Sequence, residues 1–174
     1  MSERLIEDPV LRQRYRLTRE GDVLRLELWA EPGARAPAHF HPNLEERIEV
    51  QEGEFTFKLG REKKRLGPGE SVVVAPGVRH SFANTGDGVS RFTAEIEPAL
   101  TMEEFFEESA ALARAGRFLR PGIPKGLRGA LEASEFAERH RGTTVMTMPP
   151  PALQPILLPP LARLARRRAK REDR

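Results

Sequence analysis

Cysteine is absent from the 174-residue chain. That excludes disulfides, thiolate metal sites, iron–sulfur clusters and a cysteine nucleophile. No apolar run approaches the length of a membrane span. The opening segment MSERLIEDPV has neither an apolar core nor a small-residue cleavage signal, so no secretory leader and a cytoplasmic location are expected. No phosphate-binding loop or dinucleotide fingerprint occurs. No serine stands in a strained nucleophile elbow, and no helix-turn-helix pattern is visible. What remains, 39% apolar and 32% charged residues, is the composition of a foldable domain of ordinary size with a heavily charged surface.

Charge is unevenly placed. The net charge is +3, yet Leu161 to Arg174 alone carries seven basic and two acidic residues, a balance of +5. The preceding 160 residues hold 22 basic and 24 acidic side chains, a balance of −2. The basicity belongs to the tail, so it does not mark the body as a nucleic-acid binder. Within the tail Ile156, Leu157, Leu158, Leu161 and Leu164 precede Arg166, Arg167 and Arg168. That order fits packing on the body or a partner subunit, with weak anionic-membrane contact or nonspecific nucleic-acid contact as alternatives.

Residues 1–9 are polar and read as a loose arm. Val10 to Thr18 reads as a strand, and Val23 to Ala30 alternates with Leu24, Leu26, Leu28 and Ala30 on one face. Glu46, Ile48 and Val50 form another inward row, as do Phe55, Phe57 and Leu59, and later Phe92, Ala94 and Ile96. Val72 to Ala75 and His80 to Asn84 complete the set. Roughly eight short strands with Gly/Pro punctuation predict a small antiparallel barrel or sandwich rather than βαβ units.

The pattern changes at Pro98. Thr101 and Glu104 are spaced as a capping box, and Phe105, Phe106, Leu112 and Ala113 give a helical stripe to about Ala115. Gly126 to His140 predicts a second helix with Leu127, Leu131 and Phe136 buried, and His140 reads as a surface residue. A proline-rich stretch and a short basic helix from Leu161 follow. The expected division is a β domain over 1–98 and a helical, Pro-rich extension with a basic tail over 99–174.

Two segments carry the chemistry. The first runs from Gly33 through His39, His41 and Glu46 to Gly53, and the second from Gly69 through Gly77 and His80 to Asn84. Residues i and i+2 of a strand face one side, so His39 and His41 aim two imidazoles into one cavity. Three imidazoles and one carboxylate suit a divalent transition metal. The two segments resemble the two motifs of the cupin superfamily, over roughly residues 24 to 97. Ala75 stands where the family pattern has proline, with Pro76 beside it.

The resemblance implies an all-β, double-stranded β-helix (jelly-roll) barrel, here with a C-terminal helical extension and both metal-binding motifs. It implies His39, His41, Glu46 and His80 as ligands of one divalent ion (Mn, Fe, Ni or Zn). Gly33, Gly53, Gly69, Gly77 and Asn84 are structural in this reading, Asn84 by pinning a loop. Phe55, Phe57, Phe82 and Phe92 are candidates for the wall or floor of a substrate pocket, and Arg79 and Arg91 for anion contacts at its mouth. The leading function is a mononuclear metal enzyme, dioxygenase-like, acting on a small chelating organic substrate; isomerase and decarboxylase activities also occur in the superfamily. The alternative is a small-molecule binding or sensing protein without turnover. The expected partners are a small-molecule ligand and a second copy of the chain, with no specific nucleic acid.

Overall fold

A computed structural model describes residues 5–172. The expected arm begins outside the described residues, at 1–4, and Asp173 and Arg174 of the tail also lie outside them. The chain runs β1 (Leu5–Asp8), β2 (Gln13–Glu20), β3 (Val23–Ala30), β4 (Arg35–Phe40), β5 (Glu45–Glu52), β6 (Phe55–Leu59), β7 (Glu62–Leu66), β8 (Ser71–Val74), β9 (His80–Asn84) and β10 (Ser90–Glu97). Then come α1 (Met102–Arg114), β11 (Phe118–Arg120), β12 (Ile123–Pro124), α2 (Gly126–Arg139), β13 (Val145–Met146) and α3 (Gln154–Glu172).

Alternation builds the strands. In β3, β5 and β10 every second side chain is buried, with charged residues such as Arg25, Arg47 and Glu95 between them. Two large antiparallel sheets result, one ordered β1-β2-β3-β10-β5-β8 and the other β13-β4-β9-β6-β7, while β11 and β12 pair apart from them. The core lies between the two large sheets. Phe92 of the first sheet meets Phe55 and Phe82 of the second at ring centroids of 5.1 and 5.2 Å. Ile48, Val50 and Phe57 fill in beside them. The arrangement is cupin-like, but among the described residues no sheet closes into a barrel. With three helices it is a mixed α/β architecture rather than an all-β one.

Several local expectations change. Leu5–Asp8 is not loose: it pairs with β2, Ile6 opposite Tyr15. The second strand starts at Gln13 because Val10 to Arg12 turn, Asp8 Oδ1 accepting from the amides of Val10 and Leu11 at 2.9 and 2.8 Å. Thr101 does not cap α1 with its side chain. Leu127 is 65% exposed, whereas Leu131 is buried. The last helix begins at Gln154 rather than Leu161 and runs through Pro159 and Pro160. It packs along α2, burying Leu158, Ala162 and Ala165.

The C-terminal part is joined to the β part. Val145 and Met146 add a strand to the second sheet, Met146 opposite His39. Helix α1 packs on β1, and Phe106 meets Tyr15 at 5.0 Å.

Candidate metal centre

His39 lies near the end of β4 and is paired in register with His80, the first residue of β9. His41 follows two residues later, on the same side. The ring centroids are 4.2 Å apart for His39 and His80, 5.0 Å for His39 and His41, and 5.1 Å for His41 and His80. One ring nitrogen from each lies within 4.8 Å of the others. The two sequence segments thus build one histidine triad, not two separate metal-binding motifs.

The backbone sets the tautomers. Nδ1 of His39 is 2.7 Å from the Pro37 carbonyl, that of His80 is 3.0 Å from the Val78 carbonyl, and that of His41 is 2.9 Å from the Thr143 carbonyl. A carbonyl oxygen only accepts, so each Nδ1 carries the proton and each Nε2 keeps its lone pair. Nε2 of His41 is buried with no hydrogen-bond partner. Glu46, at the start of β5, places Oε2 at 3.2 Å from Nε2 of His80 and 3.5 Å from Nε2 of His41. The three imidazoles therefore meet at one point, with the Glu46 carboxylate beside two of them. A histidine cluster of this kind suits a divalent transition cation.

Electrostatics agrees with this geometry. Burial, with the charges of His80 and His41, lowers the pKa of His39 to about 3. For His41 burial also opposes the charged form, but the nearby Glu46 carboxylate and the hydrogen bond to the Thr143 carbonyl outweigh it, and the pKa is raised. Burial would raise the pKa of Glu46, yet His41 and His80 hold it well below the usual carboxylate value. The site favours an anionic Glu46 facing positive charge.

A cavity of about 400 Å³ opens beside the cluster. Both sheets and all three helices line it, including Ile48, Phe82, Phe106, Phe136 and Leu158. Of the four expected pocket aromatics, Phe82 and Phe92 line it. Phe55 and Phe57 do not; they are fully buried behind those two rings. Arg91 is not placed for an anion, since it donates to Glu27 and Glu52 on neighbouring strands at 2.8 and 2.7 Å. Arg79 is exposed.

Asn84 gives its amide protons to the carbonyls of Ala30 and Gly88, and its Oδ1 accepts from the Gly86 amide and the Ser90 hydroxyl. Gly53 has φ +72°, and a Cβ there would collide with Ser90. The amides of Gly33, Gly69 and Gly77 tie turns to Asn84, Val50 and His41, all through carbonyls.

Sequence reading missed three contributors. Thr143 and Thr144 come from the far end of the chain, Thr144 Oγ1 lying 3.3 Å from Nδ1 of His41. A backbone carbonyl leaves no sequence signal. Gln13 lines the cavity from the inward face of β2; a polar residue in an otherwise apolar inward row was its signal. His140 is not a surface residue: it is 1% exposed and packs on Phe105 and Phe136. Its Nε2 is 3.2 Å from Glu108 and its Nδ1 3.3 Å from Thr101.

Paired antiparallel sheets around a histidine triad are a cupin-type arrangement, and comparison with known proteins places it. Residues 29–95 match the Cupin domain family. The stretch that matches this family is followed by a C-terminal helical extension. Over 67 residues, 38% of this chain, it is 36% identical to Protein SchB of Streptomyces halstedii and 33% identical to Polyketide synthase CurC of Streptomyces cyaneus. Those stretches are 49% and 44% of the two relatives, so the chain spans less than half of their length. Among solved structures it resembles an RmlC-like cupin from Shewanella frigidimarina, with TM-score 0.51 and 23% identity over 56% of this chain and 86% of that one. It also resembles KdgF from Halomonas sp., with TM-score 0.50 and 21% identity over 53% and 84%. These two likenesses concern the fold alone.

Proposed function

We propose that the protein is a mononuclear metal-dependent cupin enzyme, dioxygenase-like, acting on a small chelating organic substrate. The observation that carries this reading is the set of three Nδ1–carbonyl bonds, which leave three Nε2 lone pairs in one cluster, two of them facing Glu46. His39, His41, His80 and Glu46 would hold one divalent ion. When bound, that ion supplies Lewis acidity and, if redox-active, a route for dioxygen. The chain's own residues do the rest. The carbonyls of Pro37, Val78 and Thr143 fix the imidazoles, and the apolar cavity wall keeps water from a bound substrate. The jelly-roll reading of the two sheets, with 1–98 as the β domain and 99–174 as the extension, belongs to this proposal.

The test is metal analysis of protein purified without a histidine tag. About one equivalent of Mn, Fe, Ni or Zn is expected, falling below about a tenth in His41→Ala. Metal-free wild type after growth in supplemented medium would overturn the reading. Oxygen uptake with dicarbonyl and phenolic compounds then separates turnover from binding alone.

A further inference from the structure

We propose that Gln13 is a specificity-determining hydrogen-bond donor of this cavity. In this assignment the cavity takes an elongated, predominantly apolar ligand with a chelating oxygen pair at one end and a hydrogen-bond acceptor at the other. The chelating end rests on the metal reading above; the apolar body and the acceptor rest on separate observations.

The first observation is an orphaned donor. Gln13 is 4% exposed and lines the cavity, yet its Nε2 is buried without a partner. Two neighbouring polar groups do not accept from it. The Tyr15 hydroxyl donates to Gln13 Oε1 at 2.9 Å, which orients the amide. Asp8, opposite Gln13 in the β1–β2 ladder, takes the amides of Val10 and Leu11 on Oδ1. A buried donor with no acceptor is an unfavourable state that a ligand carbonyl or ether oxygen relieves.

The second observation is where this donor stands. Gln13 pairs with Ala30, whereas Glu46 pairs with Ile96, and Ile96 pairs with Leu24. Ala30 and Leu24 are opposite ends of β3. The two polar stations therefore sit toward opposite ends of the sheet, with the cavity touching both. The rest of the lining is mostly carbon, including Leu28, Phe92, Phe106, Phe136, Met146 and Leu158, and the Ser134 hydroxyl and Gln154 amide in it donate to backbone carbonyls. A compact polyol or small dicarboxylate would leave the apolar part wet and its own oxygens unpaired. An apolar body with oxygens only at its ends matches this lining.

The third observation is the source of the wall. Phe106, Phe136 and Leu158 come from α1, α2 and α3, all beyond the 29–95 stretch that matches the Cupin domain family. The histidine cluster lies inside that stretch, and the apolar roof lies outside it. Ligand class is thus set by parts of the chain that the family match does not cover.

Calorimetry on the full chain loaded with Zn tests this with four hydroxamates: acetohydroxamate, biphenyl-4-carbohydroxamate and its 4′-acetyl and 4′-ethyl derivatives. The biphenyl compound should bind about 100-fold more tightly than acetohydroxamate. The acetyl derivative should exceed its ethyl isostere about tenfold. Gln13→Leu should erase that acetyl preference while the unsubstituted biphenyl binds as before, which also reports an intact fold. Equal binding of the biphenyl compound and acetohydroxamate would overturn the apolar class. An acetyl preference absent from wild type, or surviving in Gln13→Leu, would overturn the role of Gln13. If no hydroxamate binds, the metal reading fails, and 4-acetylbiphenyl, which cannot chelate, decides the rest. Its binding to wild type and loss in Gln13→Leu would support the cavity assignment, and its failure to bind would overturn it.

Discussion

His39 is held neutral by its surroundings, and this has a pH consequence. Its pKa falls from 6.5 to about 3 in the folded chain, chiefly through burial and then through the charges of His80 and His41. Between those values the unfolded chain binds a proton that the folded chain refuses. Stability therefore falls as pH falls through that window, by about 1.4 kcal/mol per pH unit for one group. Glu46, with its lowered pKa, adds stability that is present above 4.5 and lost as pH falls through its folded value. His41, with its raised pKa, adds stability that is present below 6.5 and lost as pH rises through its folded value. A comparison with His39→Leu isolates the first effect. In metal-free protein, the unfolding free energy of wild type relative to His39→Leu should decline steadily from pH 6.5 toward 3 in denaturant titrations. A difference that does not change with pH would refute it. Asn84 offers a second test at this scale. It satisfies two carbonyls, an amide and a hydroxyl in a buried corner, so Asn84→Ala should cost about 2–4 kcal/mol in the same titration. A loss below about 1 kcal/mol would show that water replaces those bonds.

Strand β13 is only two residues long, yet it brings the Thr143 carbonyl and the Thr144 hydroxyl to His41. Thr144→Val keeps the shape and removes the hydroxyl. It should weaken metal binding about tenfold, read by chelator competition, with the melting temperature little changed; unchanged affinity would show that the carbonyl alone orients the ring. The helices give a contrasting expectation. His140 joins α2 to α1 through Glu108 and Thr101, and Thr101 in turn reaches Thr143 at 2.8 Å. His140→Ala should destabilise the chain by about 2–4 kcal/mol while leaving metal stoichiometry at the wild-type value.

These elements also show what the sequence reveals. The long inward rows of β3, β5 and β10 are legible because alternation is a local signal. The pair His39 and His41 is legible because residues i and i+2 of a strand share a face, whereas His80 is joined to them only through the resemblance of the two segments to the cupin motifs. Strands β1 and β13 are not legible, since Leu5–Asp8 and Val145–Met146 become strands only by pairing with distant partners. His140 reads as a surface group because Arg139 and Arg141 flank it, and only the helix packing shows its apolar neighbours. Prolines 159 and 160 suggest a helix boundary by removing amide donors. In the folded chain, contact with α2 outweighs that signal.

At the scale of the molecule, α3 decides how the apolar cavity is closed. Leu157, Leu158 and Leu161 line it, while Ala162 and Ala165 are buried where α3 packs along α2. Small residues there let the helices approach closely. The opposite face carries Ile156 and Leu164, both at least half exposed, and the arginines that follow. No described helix is long and apolar enough to cross a membrane. Packing on the body therefore accounts for Leu158 and Leu161, and only the exposed residues remain for a surface contact. Ala162→Glu places a charge and extra volume at a site with no room, and should lower stability by about 3 kcal/mol or more. Replacing Arg166 and Arg167 together by glutamine should leave stability within about 0.5 kcal/mol of wild type. The same double variant tests the tail on anionic vesicles. If the exposed leucines and arginines act as an anchor, wild type pellets with the vesicles at low salt and the variant does not. Equal sedimentation, with Ala162→Glu clearly less stable, would assign α3 to closing the cavity and remove the membrane reading.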